Sequence, residues 1–355
     1  MKDSYFYYPL TAIGFISSRP STMHSIALPR FTPPRGLKNP HVQTVLSHLF
    51  AVKVLGPCTF EQVPLPDGDF LEGVWSGAQT GPITIILHGI TGSFQSPYVP
   101  SLLNHFGLSR RFFFMHFRAC GPSLNRQPRL YHGGDSDDLA DVIAWIRQKT
   151  GEHRITAIGF SLGANVLTKY MGEQGDKALL NAGIAVSTPF DLHTVTYHTS
   201  IHNRYYERMI LKSWCQLCER KFKSYRKPPI ALHQLPQLMR MYEFDDLVTA
   251  PLHGFESADH YYSQASARYY LKTIKKPMWF LNALDDPIVI KEVLPPLSAF
   301  SESCTVYYSD YGGHNGFVSA GLLPRTRKDF VNEFADAFFT QYSPHTTGEA
   351  TPKTA

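Results

Sequence analysis

The chain has 355 residues, a formal net charge of +5, 43% hydrophobic residues and 18% charged residues. This composition excludes a chain that is disordered as a whole, and the weak positive charge without a long basic stripe argues against a nucleic-acid-binding protein. The five scattered cysteines favour a reducing compartment over a disulfide framework. Because no run of about 20 apolar residues occurs, the sequence predicts no membrane span.

The two ends of the chain differ from the middle in composition. Residues 1–34 are predicted to form an N-terminal extension, and Met23 is a second candidate start beside Met1. The apolar residues near the start lack the basic region and the small-residue cleavage site of a signal peptide, so we expect none. Residues 343–355 are polar and rich in Thr and Pro, which predicts a disordered tail.

Between these ends the chain predicts strands that alternate with helices. Residues 60–75 are typical of a hairpin, and residues 136–148 of a helix with an acidic first turn and a basic last turn. Apolar, β-branched runs predict buried parallel strands at 82–87, 112–117, 154–160, 182–187, 277–282 and 304–309. This order predicts an α/β fold with a mostly parallel, doubly wound sheet, whose two parts are residues 35–188 and 273–342.

The alternation is interrupted by residues 189–272, which predict a helical cap inserted between two strands. We expect the cap to set substrate choice. Its aromatic side chains could line a pocket, meet a lipid surface or simply pack the cap on the core; they are Tyr197, Tyr205, Tyr206, Trp214 and Tyr225. The basic run 220–227 predicts a solvated surface, with a lip for anionic headgroups as the alternative. Cys215 and Cys218 are expected to share a helix face, since no second ligand pair completes a zinc site.

The strongest functional motif is Gly-Phe-Ser-Leu-Gly at residues 159–163. It directly follows a predicted strand and opens a predicted helix, which is the context of a nucleophile elbow. The alternative, a helix start with a Ser cap, is disfavoured because candidate partners follow in the order Ser, Asp, His. The sequence therefore predicts Ser161 as a nucleophile.

Two later loops supply the partners of such a serine. The loop after the strand 277–282 contains Asp285 and Asp286, and its register favours Asp286 as the acid that orients an imidazole, with Asp285 as the competitor. The loop after the last strand places His314 between glycines, which predicts His314 as the general base. A chain order of Ser, Asp, His is the order of the α/β-hydrolase fold.

An oxyanion site needs two backbone N–H groups directed at one oxygen atom. We predict that Leu162 donates one and Ile90 the other, with Gly89 as the next choice. The loop 88–93 lacks the Gly-Lys-Ser/Thr ending of a phosphate-binding loop. Residues 132–138 contain one His and several Asp, but a helix cap at Asp135 or Ser136 explains them better than a metal site.

Taken together, the motifs resemble the YheT-like hydrolases, family 4 of the α/β-hydrolases, from about residue 35 to about residue 338. The motifs are at residues 39–44, 88–93, 117–121, 131–135, 159–165, 244–246, 254–255 and 261–262. The resemblance implies an esterase or lipase-like enzyme with a Ser, Asp, His triad. Anchored relatives carry a longer apolar N-terminus, so the resemblance favours a cytoplasmic form here.

The sequence thus predicts a serine hydrolase that cleaves carboxylic esters through an acyl-enzyme, with no metal and no organic cofactor. Its expected partner is a small-molecule or lipid ester, with peripheral membrane contact open and no nucleic acid. An acyltransferase or thioesterase that uses the same acyl-enzyme remains an alternative. A non-catalytic binding module of the same fold is disfavoured because Ser161, His314 and the elbow glycines are all present.

Overall fold

The computed structural model describes residues 16–17, 28–49, 53–320 and 328–342. Most of the predicted N-terminal extension, the second candidate start at Met23 and the predicted tail at 343–355 lie outside the described residues. Within the described ranges, no helix combines the length and the hydrophobicity needed to cross a membrane.

The strands and helices follow in chain order. The strands are β1 (Ile16–Ser17), β2 (Cys58–Pro64), β3 (Phe70–Gly77), β4 (Ile83–Leu87), β5 (Arg111–Met115), β6 (Ile155–Phe160), β7 (Ala182–Val186), β8 (Met278–Ala283), β9 (Cys304–Ser309), β10 (Val318–Ala320) and β11 (Lys328–Asp329). The α-helices are α1 (Pro40–Leu49), α2 (Tyr98–Phe106), α3 (Ser136–Thr150), α4 (Leu162–Gln174), α5 (Leu192–His202), α6 (Arg204–Phe222), α7 (Met241–Phe244), α8 (Ala250–His253), α9 (Ala258–Ala265) and α10 (Phe330–Tyr342). A π-helical turn (Asp245–Thr249) joins α7 to α8, and short 3-10 turns lie at Gly107–Ser109, Gly175–Lys177, Leu232–Gln237, Ala267–Tyr269, Lys291–Val293 and Leu297–Ala299.

One large sheet organises the molecule. Its strand order is β1-β9-β8-β7-β6-β4-β5-β3-β2. The six strands from β9 to β5 run parallel to one another, whereas β2, β3 and β1 pair antiparallel at the two edges. The prediction of a mostly parallel α/β sheet is confirmed, and the predicted hairpin is the pair β2 and β3.

The sheet is covered on both faces because its central strands are apolar on both faces. All residues of β4, β6, β7 and β8 are buried. One buried cluster includes residues of α3, α4 and the helices of segment 189–272, and the other includes residues of α2 and α10. Burial on two faces is what favours parallel pairing with crossover helices, and it brings the carboxyl ends of the strands to one edge.

Five α-helices, α5 to α9, lie between β7 and β8, in the segment predicted as a cap. Asn165 of α4 joins this segment to the core. Its Nδ2 donates to the carbonyl oxygens of Gly133 and Ala265, both at 2.7 Å, and its Oδ1 accepts from the N–H of Ala267 at 2.9 Å. The fully buried amide thus connects the helix after Ser161, the loop before α3 and the end of α9.

The basic run 220–227 contacts the core, and the prediction of a solvated surface is wrong for Lys221, whereas Arg220 is exposed. Lys221 is buried and its ammonium donates to the carbonyl oxygen of Asn125, while the guanidinium of Arg220 donates to that of Ala119. Burial lowers the pKa of Lys221 to about 8. Cys215 and Cys218 lie on α6 as unpaired thiols, with Cys218 buried.

The five aromatic side chains that we singled out divide into two groups. Tyr206 and Trp214 are buried, and Trp214 stacks on Tyr131 of the core at 4.7 Å between ring centroids. Tyr225 is half-buried, whereas Tyr197 and Tyr205 are exposed. Packing therefore explains Tyr206 and Trp214, and leaves Tyr197 and Tyr205 with their rings in solvent.

We predict that Asn165→Ala lowers the free energy of unfolding by on the order of 3 kcal/mol. The substitution leaves two buried carbonyl groups and one N–H without their partner. Urea unfolding monitored by fluorescence measures the change. Gln174→Ala, at the end of the same helix, is the matched control, and an Asn165→Ala transition that coincides with that of the control would contradict the stabilising role of this joint.

Candidate active site

The three side chains predicted as nucleophile, acid and base meet at the carboxyl edge of the sheet. Ser161 directly follows β6, Asp286 follows β8 and His314 follows β9. Ser161 Oγ lies 2.9 Å from His314 Nε2, and His314 Nδ1 lies 2.8 Å from Asp286 Oδ2. The imidazole is therefore bonded on one side to a hydroxyl and on the other to a buried carboxylate, which is the geometry in which it can take a proton from the hydroxyl.

Ser161 occupies an unfavourable backbone conformation with φ 51° and ψ −118°. Its N–H donates to the carbonyl oxygen of Val186 at 2.9 Å, which fixes the turn against β7. The turn also needs glycines: a Cβ on Gly159 would lie 2.5 Å from the carbonyl oxygen of Gly163, and a Cβ on Gly163 would lie 2.5 Å from that of His88. Close packing of β6, α4 and the end of β4 thus keeps Ser161 in a conformation that costs about 1–3 kcal/mol.

The adjacent carboxylates of the acid loop contact different groups. Asp286 Oδ1 accepts from the N–H groups of Ile288 and Val289 at 2.8 and 2.9 Å, so its Oδ2 remains for His314. Asp285 Oδ1 accepts from the N–H of Gly313 at 2.9 Å. Burial raises the pKa of Asp285 to about 6, and the neighbouring charge of Asp286 adds to the increase.

Helix α1 holds the loop that carries His314. Thr44 Oγ1 accepts from the backbone N–H of His314 at 2.9 Å, and Gln43 Oε1 accepts from that of Val318 at 2.8 Å. A Cβ on Gly313 would lie 2.4 Å from the carbonyl oxygen of Pro40, so the loop touches the helix backbone. Sequence reasoning assigned no role to Thr44, although the motif at residues 39–44 that contains it was among those that carry the resemblance.

The loop after β4 passes beside the serine. A Cβ on Gly89 would lie 3.1 Å from Ser161 Cβ. The N–H of Gly89 donates to Tyr98 Oη at 3.0 Å, and the N–H of Thr91 donates to Tyr131 Oη at 2.6 Å. Two tyrosine hydroxyls therefore accept hydrogen bonds from the N–H groups of Gly89 and Thr91, which lie on either side of Ile90.

His88 fixes the start of this loop as a neutral ring. Its Nε2 accepts from the N–H of Phe117 at 3.1 Å, so the proton resides on Nδ1, which donates to the carbonyl oxygen of Gly89 at 2.6 Å. Burial lowers the pKa of His88 to about 3. The ring joins the loop beside Ser161 to the end of β5 and stays neutral near neutral pH.

Comparison with known proteins decides the family. Residues 82–320, more than half of the chain, match the family of proteins with the α/β-hydrolase fold. The chain belongs to this family. "Putative esterase YheT" of Escherichia coli is 35% identical over 302 residues, which cover 82% of this chain and 88% of that protein, and places the chain in the YheT-like group.

Two further proteins are more distantly similar to the chain. Monoacylglycerol lipase of Saccharomyces cerevisiae is 30% identical over 217 residues, 59% of this chain and 48% of the yeast protein. An esterase of Pyrococcus furiosus of known structure superposes with a TM-score of 0.53 at 17% identity, covering 90% of this chain and all of that one. The first comparison relates the sequence to a lipase, and the second shows the fold alone.

A cluster outside the Ser161 site has the side chains of a metal site. Ligand atoms of His132, Asp135 and His253 lie within 4.8 Å of one another. However, His132 Nδ1 accepts from the N–H of Gly134, so its Nε2 bears the proton and contacts Asp135 Oδ1 at 3.0 Å. Arg129 contacts the same oxygen at 2.8 Å. A cation would have to displace both contacts from Asp135, whereas the buried Nε2 of His253 has no hydrogen-bond partner among the described residues.

The same cluster corrects the predicted helix cap. Asp135 stands at the position before α3, but its side chain makes no capping hydrogen bond and instead accepts from the N–H of His132 at 2.9 Å. Burial would raise the pKa of Asp135, but its interactions with His132 outweigh this effect and lower the pKa overall. The acidic side chain stabilises the turn before the helix and not the helix end.

We predict that Asp285→Asn removes one contribution to the pH dependence of stability, namely a loss of stability as the pH rises on the acid side. The pKa of Asp285 is about 6 in the folded chain and 3.8 ordinarily. Because the folded state binds this proton more tightly, the free energy of unfolding should fall as pH rises through the interval between these two values. The amide keeps the contact with Gly313 without titrating. Urea unfolding at a series of pH values gives the free energy of unfolding of the wild type and of the variant, and the contributions of the other carboxyl groups cancel in the difference. Parallel pH profiles of the two proteins would contradict the prediction.

Proposed function

We propose that this protein is a serine hydrolase that cleaves carboxylic esters through an acyl-enzyme formed on Ser161. The observation that carries the proposal is the line of contacts from Ser161 Oγ through His314 to Asp286. The esterase and lipase names of the relatives support the same reaction class. An ester carbonyl is the substrate group that such a hydroxyl can attack with the fewest additional requirements.

The proposed reaction begins with proton transfer from Ser161 to His314. Asp286 accepts only, so His314 Nδ1 donates to it and Nε2 is the atom that receives the serine proton. Ser161 Oγ bonds to the carbonyl carbon, and the carbonyl oxygen becomes an oxyanion. When the tetrahedral intermediate collapses, the bond to the alcohol breaks and His314 returns the proton to the leaving oxygen.

Water completes the cycle. His314 Nε2 takes a proton from water as the water oxygen bonds to the acyl carbon, and the second collapse releases the carboxylic acid and restores Ser161. If an alcohol takes the place of water, the same steps give a new ester. Product analysis with and without an added alcohol therefore separates hydrolysis from acyl transfer.

We assign the oxyanion site to the N–H groups of Ile90 and Leu162. Leu162 is the first residue of α4, where an N–H has no partner within the helix and lies at the positive end of the helix dipole. On the other side, Tyr98 and Tyr131 engage the N–H groups that flank Ile90. This favours Ile90 over Gly89, because a donor already bonded to a tyrosine hydroxyl has none to give to the oxyanion.

We expect a fluorophosphonate probe to label the protein covalently at Ser161. The labelled peptide is identified by mass spectrometry, and a panel of para-nitrophenyl esters measures turnover in parallel. Ser161→Ala should abolish labelling and lower kcat/KM by about 10³-fold or more. Labelling of Ser187, which also has a positive φ, would contradict the assignment, and Ser187→Ala is the matched control for it.

The two carboxylates of the acid loop should differ in their effect on turnover. Asp286→Asn removes the anion that orients the imidazole and is expected to lower kcat by about 10⁴-fold. Asp285→Asn keeps an acceptor for the Gly313 N–H and should leave kcat within about tenfold of the wild type. Steady-state kinetics on one soluble ester measures both, and a reversal of the two effects would show that Asp285 is the acid.

A further inference from the structure

Helix α5 lies across the Ser161 site. At its start Leu192 lies beside Gly133, and so does Leu162, the residue after the serine: a Cβ on Gly133 would lie 3.1 Å from Leu192 Cδ1 and 2.8 Å from Leu162 Cδ1. At the junction with α6, Asn203 Nδ2 donates to the carbonyl oxygen of Pro287 at 2.5 Å, directly after Asp286. The helix therefore extends from the nucleophile to the acid loop, and its outer face is the surface above the site.

That outer face exposes large apolar side chains. Tyr197 and Ile201, four residues apart on α5, are 63% and 50% exposed, and Tyr205 and Met209, four apart on α6, are 70% and 51% exposed. Residues with this spacing lie on one side of a helix. Tyr197 and Ile201 also line one groove together with Tyr242. Exposed apolar side chains grouped on a folded chain mark a surface that contacts an apolar partner.

The exposed ionic side chains of residues 192–218 are all positively charged. Residues 192–218 contain a single acidic residue, Glu207. Glu207 is buried and accepts from Ser200 Oγ and from the N–H of Met241. The exposed cations are Arg204, Arg208 and Lys212 of α6. Among the ion pairs of the described residues, none joins these three cations to a carboxylate.

We propose that this docking face, formed by Tyr197, Ile201, Tyr205 and Met209 with Arg204, Arg208 and Lys212, binds the surface of an anionic phospholipid bilayer. Aromatic and Met side chains enter the interface of a bilayer while Arg and Lys contact its phosphates, and this face presents both. Asp259 is the exposed carboxylate beside Tyr197 and Ile201, and His193 Nε2 lies 3.5 Å from it. Since α5 covers the Ser161 site, docking would bring that site to esters held in the bilayer. This last link rests on the proposed ester hydrolysis, whereas the docking itself does not.

Vesicle sedimentation with the full chain tests the docking. Vesicles of phosphatidylglycerol with phosphatidylcholine are compared with vesicles of phosphatidylcholine alone, and we expect tighter binding to the former that weakens as salt is added. The triple variant Arg204→Gln, Arg208→Gln, Lys212→Gln should bind about fivefold more weakly for each cation removed. The variant Ile201→Ser, Tyr205→Ser, Met209→Ser should lose at least tenfold.

A matched control removes three exposed lysines at the opposite edge of the sheet. Lys177 precedes β7, Lys275 precedes β8, and Lys53 lies beside the end of α2 through a contact with Asn104. The variant Lys53→Gln, Lys177→Gln, Lys275→Gln has the same net charge as the α6 triple variant. It should bind the anionic vesicles as the wild type does, and an equal loss in both variants would overturn the proposal.

Activity separates docking from chemistry. The docking variants should hydrolyse a soluble short-chain ester at the wild-type rate and lose turnover of a long-chain ester embedded in the anionic vesicles. A wild-type protein that sediments with vesicles but cleaves neither ester would refute the proposed function and leave the docking intact.

A wild-type protein that does not sediment with the anionic vesicles would refute the docking. So would a dimer on gel filtration that the Ile201→Ser, Tyr205→Ser, Met209→Ser variant dissociates, because the face would then bind a second copy of this chain.

Discussion

Ser161 adopts a backbone conformation that an isolated peptide avoids. The close packing of β6, α4 and the end of β4 imposes it. β6 and α4 meet at Gly159 and Gly163 with no space for a side chain, and the backbone at the end of β4 closes the same gap. The apolar strands on either side supply the packing energy that offsets the strain. Exposure of the hydroxyl above the sheet is thus a consequence of how tightly three elements pack below it.

The base is held as firmly as the nucleophile, but from much farther along the chain. His314 depends on Thr44 for its backbone N–H, and the loop around it depends on Gln43 and on Asp285. An imidazole that rotated away from Ser161 Oγ would lose its function even with all side chains present. This explains why helix α1, near the start of the described chain, belongs to the site: it contacts the loop that carries His314.

Several motifs that carry the family resemblance join elements through buried hydrogen bonds and ion pairs. Arg118 is buried between Asp69 and Asp138, with contacts of 2.7 Å to each. Asn165 connects α4 to the loop before α3 and to the end of α9. Asp245 in the π-helical turn accepts from Thr249 and Tyr262, and burial raises its pKa to about 6. Polar groups at such buried joints fix one arrangement, because any other would leave them without partners.

The sequence by itself determined what depends on near neighbours along the chain. The β-branched runs, the helix patterns and the strand-turn-helix around Ser161 are local, and they were enough to predict the α/β class and the hairpin. The chain order of Ser161, Asp286 and His314 came from the same local signals.

Only the tertiary structure decided what depends on residues far apart. It gave Asp286 the contact with His314 and Asp285 the contact with Gly313, a choice that neighbouring letters leave open. It buried Lys221 against the carbonyl oxygen of Asn125 although the run around Lys221 is basic. It also left Asp135 without a capping hydrogen bond although Asp135 stands at the N-cap position of α3. For Asp286, Asp285 and Lys221 the physical reason is the same, because their hydrogen-bond partners lie 28, 28 and 96 residues away and no pattern within a short window contains them. The partners of Asp135 are near neighbours, His132 and Arg129, and there the geometry of the folded turn decides which N–H the carboxylate accepts from.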